Sequence, residues 1–210
     1  MRTTGHRLPN IAADAGAKSQ FRRAARAAGA VVDWAEVGEA ARAHLAEWLA
    51  GRAPTTVVLY LALDDEPPVE GLAVLPELGR HHWAVTRTGS LGVELSVHPF
   101  DCEREWHRFG YQQPVAGSPL VAEADIGVVL VPGVAFDRWG GRLGRGRGYY
   151  DRLLARLAPD VDRVGVSTDA LVWSQPLPLD AHDLRMDWLA TASGVRRADG
   201  PPPPAAATAR

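Results

Sequence analysis

Residues 124–154 read ADIGVVLVPGVAFDRWGGRLGRGRGYYDRLL. The first ten form an apolar, valine-rich run ending at Pro132-Gly133, the pattern of a strand buried on both faces. Glycines at 140, 141, 144, 146 and 148 follow, with arginines at 142, 145 and 147 between them. From Tyr149 the leucines recur at helical spacing until Pro159, so a short helix is expected over 149–159. A buried strand, a glycine-rich loop and a helix in that order point to an α/β layered domain.

The flanking sequence repeats the alternation. Residues 15–29 have helical character, with Lys18, Arg22 and Arg26 spaced along one face. Asp33 and Glu36 form a capping-box pair, Val37, Ala41, Leu45 and Trp48 recur at helical spacing, and Gly51 closes that helix. Strands are expected at 56–63, 83–88, 92–100, 163–171 and 186–193, while Pro76 interrupts the pattern at 69–79. Strands alternating with helices predict a largely parallel sheet, whose ligands bind beyond the carboxyl ends of its strands. The glycine-arginine loop follows the strand near 130 by about ten residues and so falls on that edge. Residues 1–14 are polar and unpatterned, and 198–210 join a polyproline run to small residues. Both are expected to be disordered tails on one domain spanning 15–197.

Composition narrows the class further. The 210 residues carry a net charge of −2, so no chain-wide field draws nucleic acid or an anionic membrane. One cysteine, Cys102, excludes an intramolecular disulfide framework and suits a reducing compartment. No run approaches the ~18 apolar residues of a membrane span, and no apolar core of a signal peptide is visible near the start. A soluble cytoplasmic monomer is the expectation.

Glycines in the loop permit positive φ, so successive backbone N–H groups can turn toward one anion, and arginines add charge-assisted hydrogen bonds. The chemistry suits a polyphosphate. The segment is neither a Walker A loop, since the chain has no Gly-Lys pair, nor the G-x-G-x-x-G dinucleotide fingerprint. A solvated glycine-arginine loop and an RNA-binding segment of RGG type are the other readings. Asp151 fits a salt-bridge partner of the neighbouring arginines, or a Mg²⁺ ligand beside bound phosphates. Asp180, Asp183 and Asp187 offer further carboxylates or a polar surface loop.

Residues 131–157, VPGVAFDRWGGRLGRGRGYYDRLLARL, closely resemble the signature segment of the 5-formyltetrahydrofolate cyclo-ligase (5,10-methenyltetrahydrofolate synthetase) family. KSQFR (18–22), VVLYLALDDE (57–66), FGYQQP (109–114) and QPLPLDAHDLRMD (175–187) are similar to further family segments, in the family's order. The resemblance covers roughly residues 15–193. It implies a three-layer α/β/α domain like those of sugar-phosphate isomerases and coenzyme A transferases, with a largely parallel central sheet. The implied activity is MgATP-dependent conversion of 5-formyltetrahydrofolate to 5,10-methenyltetrahydrofolate, with ATP and Mg²⁺ as cofactors and a reduced folate as substrate. The formyl oxygen would be phosphorylated, N10 would close the ring, and phosphate would leave. Carried over by position, Lys18, Arg22 and the run Arg142, Leu143, Gly144, Arg145, Gly146, Arg147, Gly148, Tyr149 and Tyr150 would hold ATP. Arg145, Arg147 and Tyr149 would serve the reaction itself. Leu61, Glu66, Arg145, Gly148 and Tyr149 would meet the folate, and Asp151 and Asp183 the metal. Trp139 is a candidate ligand contact. The chain departs from the family at Gln113, where glutamate is usual, and at Tyr111, where a small aliphatic residue is common.

Overall fold

The computed structural model describes residues 16–89, 94–108 and 110–202. The expected tail over 1–14, residues 203–210 of the other tail, the first two residues of the strand expected over 92–100, and Phe109 of FGYQQP lie outside them. In chain order the elements are α1 (Ala17–Gly29), α2 (Trp34–Ala50), β1 (Thr56–Leu59), β2 (His82–Thr88), β3 (Leu95–Pro99), β4 (Arg104–Trp106), β5 (Gln112–Pro114) and β6 (Ile126–Pro132). After these come β7 (Ala135–Asp137), β8 (Arg142–Leu143), α3 (Tyr149–Leu154), β9 (Asp162–Val166), β10 (Val172–Trp173), β11 (Trp188–Thr191) and β12 (Gly194–Arg197).

Seven strands form the central sheet in the order β12-β11-β9-β6-β1-β2-β3. The inner pairings β11–β9, β9–β6, β6–β1 and β1–β2 are parallel, and the two edge pairings are antiparallel. Alternation along β1 sorts the core. Val57 and Leu59 join Ala41, Leu45 and Leu49 of α2 on one face, whereas Val58 joins Leu153 and Leu154 of α3 on the other. The expected largely parallel sheet between helical layers is the architecture found. Asp33 caps α2 as expected, its Oδ1 accepting from the Glu36 N–H at 3.1 Å.

α1 packs elsewhere. Phe21 and Ala25 press against Val134, Ala135, Leu143 and Trp173 on a small sheet of order β10-β7-β8. Those strands have two or three residues each, too few to show a period in sequence, as do β4 and β5.

Several expected elements are shorter than their apolar runs. β1 ends at Leu59, where its ladder with β2 ends, leaving Leu61 and Leu63 to other duties. The run over 163–171 divides into β9 and a 3₁₀ turn at Asp169–Leu171, and the run over 69–79 is two 3₁₀ turns with Pro76 opening the second. α3 covers six residues instead of 149–159. Arg156 N–H donates to Leu153 and Leu157 N–H to Leu154, so tight i+3 turns replace helix before Pro159. β12, not expected, closes one edge, and the chain stays attached beyond it: Ala198 N–H donates to Asp187 and Asp199 N–H to Arg138.

Gly140 shows how closely the segment after β7 fits. Its φ is +80°, and a Cβ there would lie 2.1 Å from the Met186 carbonyl oxygen. Gly140→Ala is therefore expected to destabilise the fold by about 2 kcal/mol or more, read as a lowered urea midpoint. A midpoint at the parent value would contradict that fit.

Candidate active site

A cleft of about 1270 Å³ opens at the carboxyl ends of β1, β2 and β6. The strand order reverses direction between β1 and β6, so the cleft occupies the switch point of the sheet. Pro132 ends β6 in it and Gly133 follows, Leu61, Leu63 and Glu66 follow β1, and Thr86–Gly89 come from the end of β2. The glycine-arginine loop, from Arg142 through Arg152, forms one wall. The residues carried over by position from the family all line this one cleft: Lys18, Arg22, Leu61, Glu66, Arg142 through Tyr150, Asp151 and Asp183. Trp139 does not. Its backbone N–H donates to Asp137 at 2.9 Å and its carbonyl accepts from Arg185, so it belongs to the support of the loop.

That support converges on Asp137, which is fully buried. Its Oδ1 accepts from the N–H groups of Trp139 (2.9 Å) and Gly141 (2.8 Å), and its Oδ2 accepts from Leu177 N–H at 2.8 Å. A Cβ on Gly141 would fall 2.2 Å from Oδ2, so glycine is required for this approach. Sequence reasoning passed over Asp137. Its signal was an aspartate two and four residues ahead of backbone donors in a glycine-rich turn.

Several cations and carboxylates around the cleft are paired with one another. Arg142 is buried on β8, and its Nη2 donates to both Asp151 oxygens at 3.0 Å while Nη1 donates to the Pro132 carbonyl at 3.3 Å. Its Nε is buried with no hydrogen-bond partner among the described residues. Asp151 Oδ1 also accepts from Leu184 N–H at 3.4 Å, which brings the 180–184 segment to α3. There Lys18 binds Asp180 at 2.6 Å and Asp183 more closely, and Asp183 accepts from Asp180 N–H at 2.7 Å. Burial pushes the Asp183 carboxyl up, but these hydrogen bonds and the ammonium charge outweigh it and hold Asp183 below the usual range. For Lys18 burial acts downward and is likewise outweighed, so its affinity for a proton is raised. Arg22 Nε donates to the Gly144 carbonyl at 2.8 Å and ties α1 to the loop. No group of three or more metal-ligating side chains occurs among the described residues. Two carboxylates beside a loop rich in arginine and backbone N–H groups are of the type that suits Mg²⁺, which commonly keeps phosphate and water oxygens in its shell.

Across the cleft Arg145 binds Asp65 and reaches Glu66 Oε1 at 3.2 Å. Glu66 is buried, and Oε2 accepts from Leu63 N–H. Burial raises its proton affinity, and the Arg145 charge and the Leu63 hydrogen bond recover part of the shift. Burial also pushes the hydroxyls of Tyr60 and Tyr150 up, so both stay neutral donors. Tyr60 donates to the Pro67 carbonyl, and Tyr150 hydrogen-bonds Thr86.

The β4–β5 hairpin and the end of β2 supply a wall that sequence reasoning had touched only at Tyr111 and Gln113. Arg87 donates to Glu105 Oε1 at 2.6 Å, and Gln113 Nε2 donates to the same oxygen at 3.2 Å. Tyr111 shares a hydrogen bond with Thr88 at 3.1 Å. Glu105 and Gln113 are directly opposite in the hairpin. A glutamate at 113 would set like charges face to face, whereas the amide donates across the pair.

Fold and site together define an α/β protein with a cleft at the switch point of a largely parallel sheet, furnished with arginines and paired carboxylates. Residues 14–192 match the model of the 5-formyltetrahydrofolate cyclo-ligase family. The 5-formyltetrahydrofolate cyclo-ligase of Mycolicibacterium smegmatis is 32% identical over a match covering 74% of this chain and 86% of that protein. The 5,10-methenyltetrahydrofolate synthetase of Aquifex aeolicus superimposes with a TM-score of 0.68 at 28% identity, covering 92% of this chain and 99% of that one. That of Mycoplasma pneumoniae, at 18% identity, shares the fold with a TM-score of 0.66, over 83% of this chain and 98% of its own. The chain belongs to the 5-formyltetrahydrofolate cyclo-ligase family, a family of ligases.

Two outcomes follow from the geometry. Asp137→Ala leaves three N–H groups, two of them buried, without their acceptor and is expected to cost about 3 kcal/mol or more in stability, measured by urea unfolding; a loss under 1 kcal/mol would contradict that role. In Arg145→Ala the charge opposing Glu66 desolvation is gone, so the Glu66 carboxyl should titrate at higher pH than in the parent chain. Carbon-13 NMR of labelled glutamate reads this directly, and an unchanged or lower titration point would show that Arg145 does not govern it.

Proposed function

We propose that the chain is an ATP- and Mg²⁺-dependent 5-formyltetrahydrofolate cyclo-ligase, forming 5,10-methenyltetrahydrofolate with release of ADP and phosphate. The observation that carries this reading is the pairing of Lys18 with Asp183 and of Arg142 with Asp151 within one cleft. Each pair unites a cation suited to a phosphate with a carboxylate suited to a metal. MgATP brings both complements at once, so phosphate oxygens take Lys18, Arg22, Arg145 and Arg147 while Asp151 and Asp183 turn to the ion. Each ion that leaves its partner thus meets a new one of opposite sign, which offsets in place part of the desolvation cost of separating the pair. The unpartnered Nε of buried Arg142 supplies a further donor.

The reaction such a cleft serves is mainly one of positioning and charge neutralisation. Mg²⁺, when bound, neutralises the phosphates and orients the one transferred. Glu66, held in place by Leu63 N–H, accepts from the donor-rich edge of the pterin, and Leu61 lines the slot beside it. Arg145, which bridges Asp65 and Glu66, stands between the folate and the triphosphate and draws the formyl oxygen and the transferred phosphate together. Arg147 and Tyr149 complete the electrostatic cover, and Gly148, at a φ of +64°, keeps the backbone close. Phosphorylation of the formyl oxygen turns a poor leaving group into a good one. N10 then attacks the activated carbon, the C–N bond forms, the N10 proton passes to solvent, and the C–O bond to phosphate breaks.

The test is to mix the full chain with 5-formyltetrahydrofolate, ATP and Mg²⁺ and follow the methenyl product by its ultraviolet band. Product that requires both ATP and Mg²⁺ is the expected result; ATP binding without product would point to another formyl or acyl substrate. Arg145→Ala should lower kcat/KM by about 2–3 kcal/mol of transition-state binding, roughly 30- to 160-fold, and unchanged kinetics would remove it from the site. Asp151→Asn should abolish Mg²⁺-dependent turnover yet fold, because the amide oxygen still accepts from Arg142. Asp151→Ala would also unfold more readily, having left a buried guanidinium unpaired. Turnover at the parent rate in Asp151→Asn would exclude that carboxylate from the metal site.

A further inference from the structure

Glu66 lines the cleft but is buried, and both of its oxygens are already engaged. Oε2 accepts from Leu63 N–H at 3.2 Å, and Oε1 accepts from Arg145 Nε at 3.3 Å and from Nη2 at 3.2 Å. The same Nη2 donates to Asp65, whose side chain is half exposed. One guanidinium therefore covers the carboxylate that a pterin would need, and that guanidinium is itself a group that a triphosphate would need.

The cover can open without displacing the loop. Arg22 Nε holds the Gly144 carbonyl at 2.8 Å, directly before Arg145, while the Arg145 side chain is 38% exposed and has room to rotate. Opening it with nothing in return is costly. Burial already raises the proton affinity of Glu66, and the Arg145 charge is the largest influence opposing it. A buried carboxylate that loses its cation is strongly destabilising. A triphosphate that takes Arg145 thus strands Glu66 until donors from a pterin arrive. A folate that takes Glu66 leaves Arg145 with Asp65 alone until phosphates arrive. With both ligands in place, each supplies what the other removes.

We propose that Arg145 couples the two halves of the cleft, so that a reduced folate and MgATP each tighten the other's binding, and that Asp65 is a positioning residue that tempers the coupling by sharing Arg145 with Glu66. The proposal rests on the functional reading of the cleft given above, and the experiment separates the two.

Calorimetry on the full chain measures the affinity for 5-formyltetrahydrofolate alone and with saturating Mg²⁺ and the β,γ-methylene analogue of ATP, which cannot transfer its terminal phosphoryl group. The nucleotide should tighten folate binding by at least about fivefold, the lower end of ordinary coupling between sites, and the folate should tighten nucleotide binding by the same factor. Glu66→Gln keeps an oxygen for the pterin but offers Arg145 no charge to cover, so the gain should largely disappear. Asp65→Asn leaves Arg145 to Glu66 alone. Folate should then bind the nucleotide-free chain more weakly, bind the nucleotide-loaded chain as before, and show a larger gain, a split that general loosening of the loop would not produce. Asp65→Asn decides the matter if Glu66→Gln binds folate too weakly to titrate. A smaller gain in a parent chain that binds both ligands, a gain that survives in Glu66→Gln, or a gain unchanged or reduced in Asp65→Asn would overturn the coupling and leave the function of the cleft standing. A parent chain that fails to bind one or both ligands would remove the functional reading, and the coupling with it.

Discussion

The carboxylate of Asp137, closed off from solvent at the end of β7, accepts hydrogen bonds from the N–H groups of Trp139, Gly141 and Leu177. Two of those donors start the glycine-arginine loop, and the third starts the segment that runs on to Asp183. One buried acceptor thus sets the relative position of two stretches some forty residues apart, and the walls of the cleft grow from both. Leaving the three donors without a partner in the interior would be costly, so the loop has few other places to lie. Gly141 exists in this arrangement to let the backbone come within reach.

The charges of the cleft follow from that placement. Arg142 leaves β8 directly behind the loop and meets Asp151 on α3, and Asp151 in turn meets the backbone at Leu184. Lys18 and Arg22 arrive from α1, which is held there by Phe21 and Ala25 against the small sheet. Four separate elements therefore contribute charges that neutralise one another at close range. Arg142 is buried, whereas Lys18, Asp151 and Asp183 are only partly so, and a ligand that carries both signs can enter such a cleft by exchange. A bare anion in such a cleft would leave its carboxylates unpaired.

The far wall obeys the same rule of paired charge. Arg87 and Gln113 both donate to Glu105, and the Gln113 amide stands where a second carboxylate would face Glu105 across the hairpin. The residue that looks like a departure from the family pattern is thus explained by its cross-strand neighbour. That neighbour could not be named beforehand, because β4 and β5 have three residues each and carry no period of their own.

Sequence alone determined the alternation of helices and strands, the cap of α2 at Asp33, and the chemistry of residues 142–151, since these depend on local periodicity and on residue type. It also determined membership of the family, because more than twenty contiguous positions around the loop carry the resemblance. Tertiary structure decided where the apolar runs stop being strands: β1 ends where its ladder ends, and α3 ends where tight turns precede Pro159. It decided that Trp139 supports the loop and that Asp137 anchors it, which depend on contacts with Arg185 and Leu177 far along the chain. It also decided which carboxylate each arginine meets. Pairing in three dimensions is set by the packing of α1, α3 and the small sheet, and the spacing of charges along the chain carries no record of that packing.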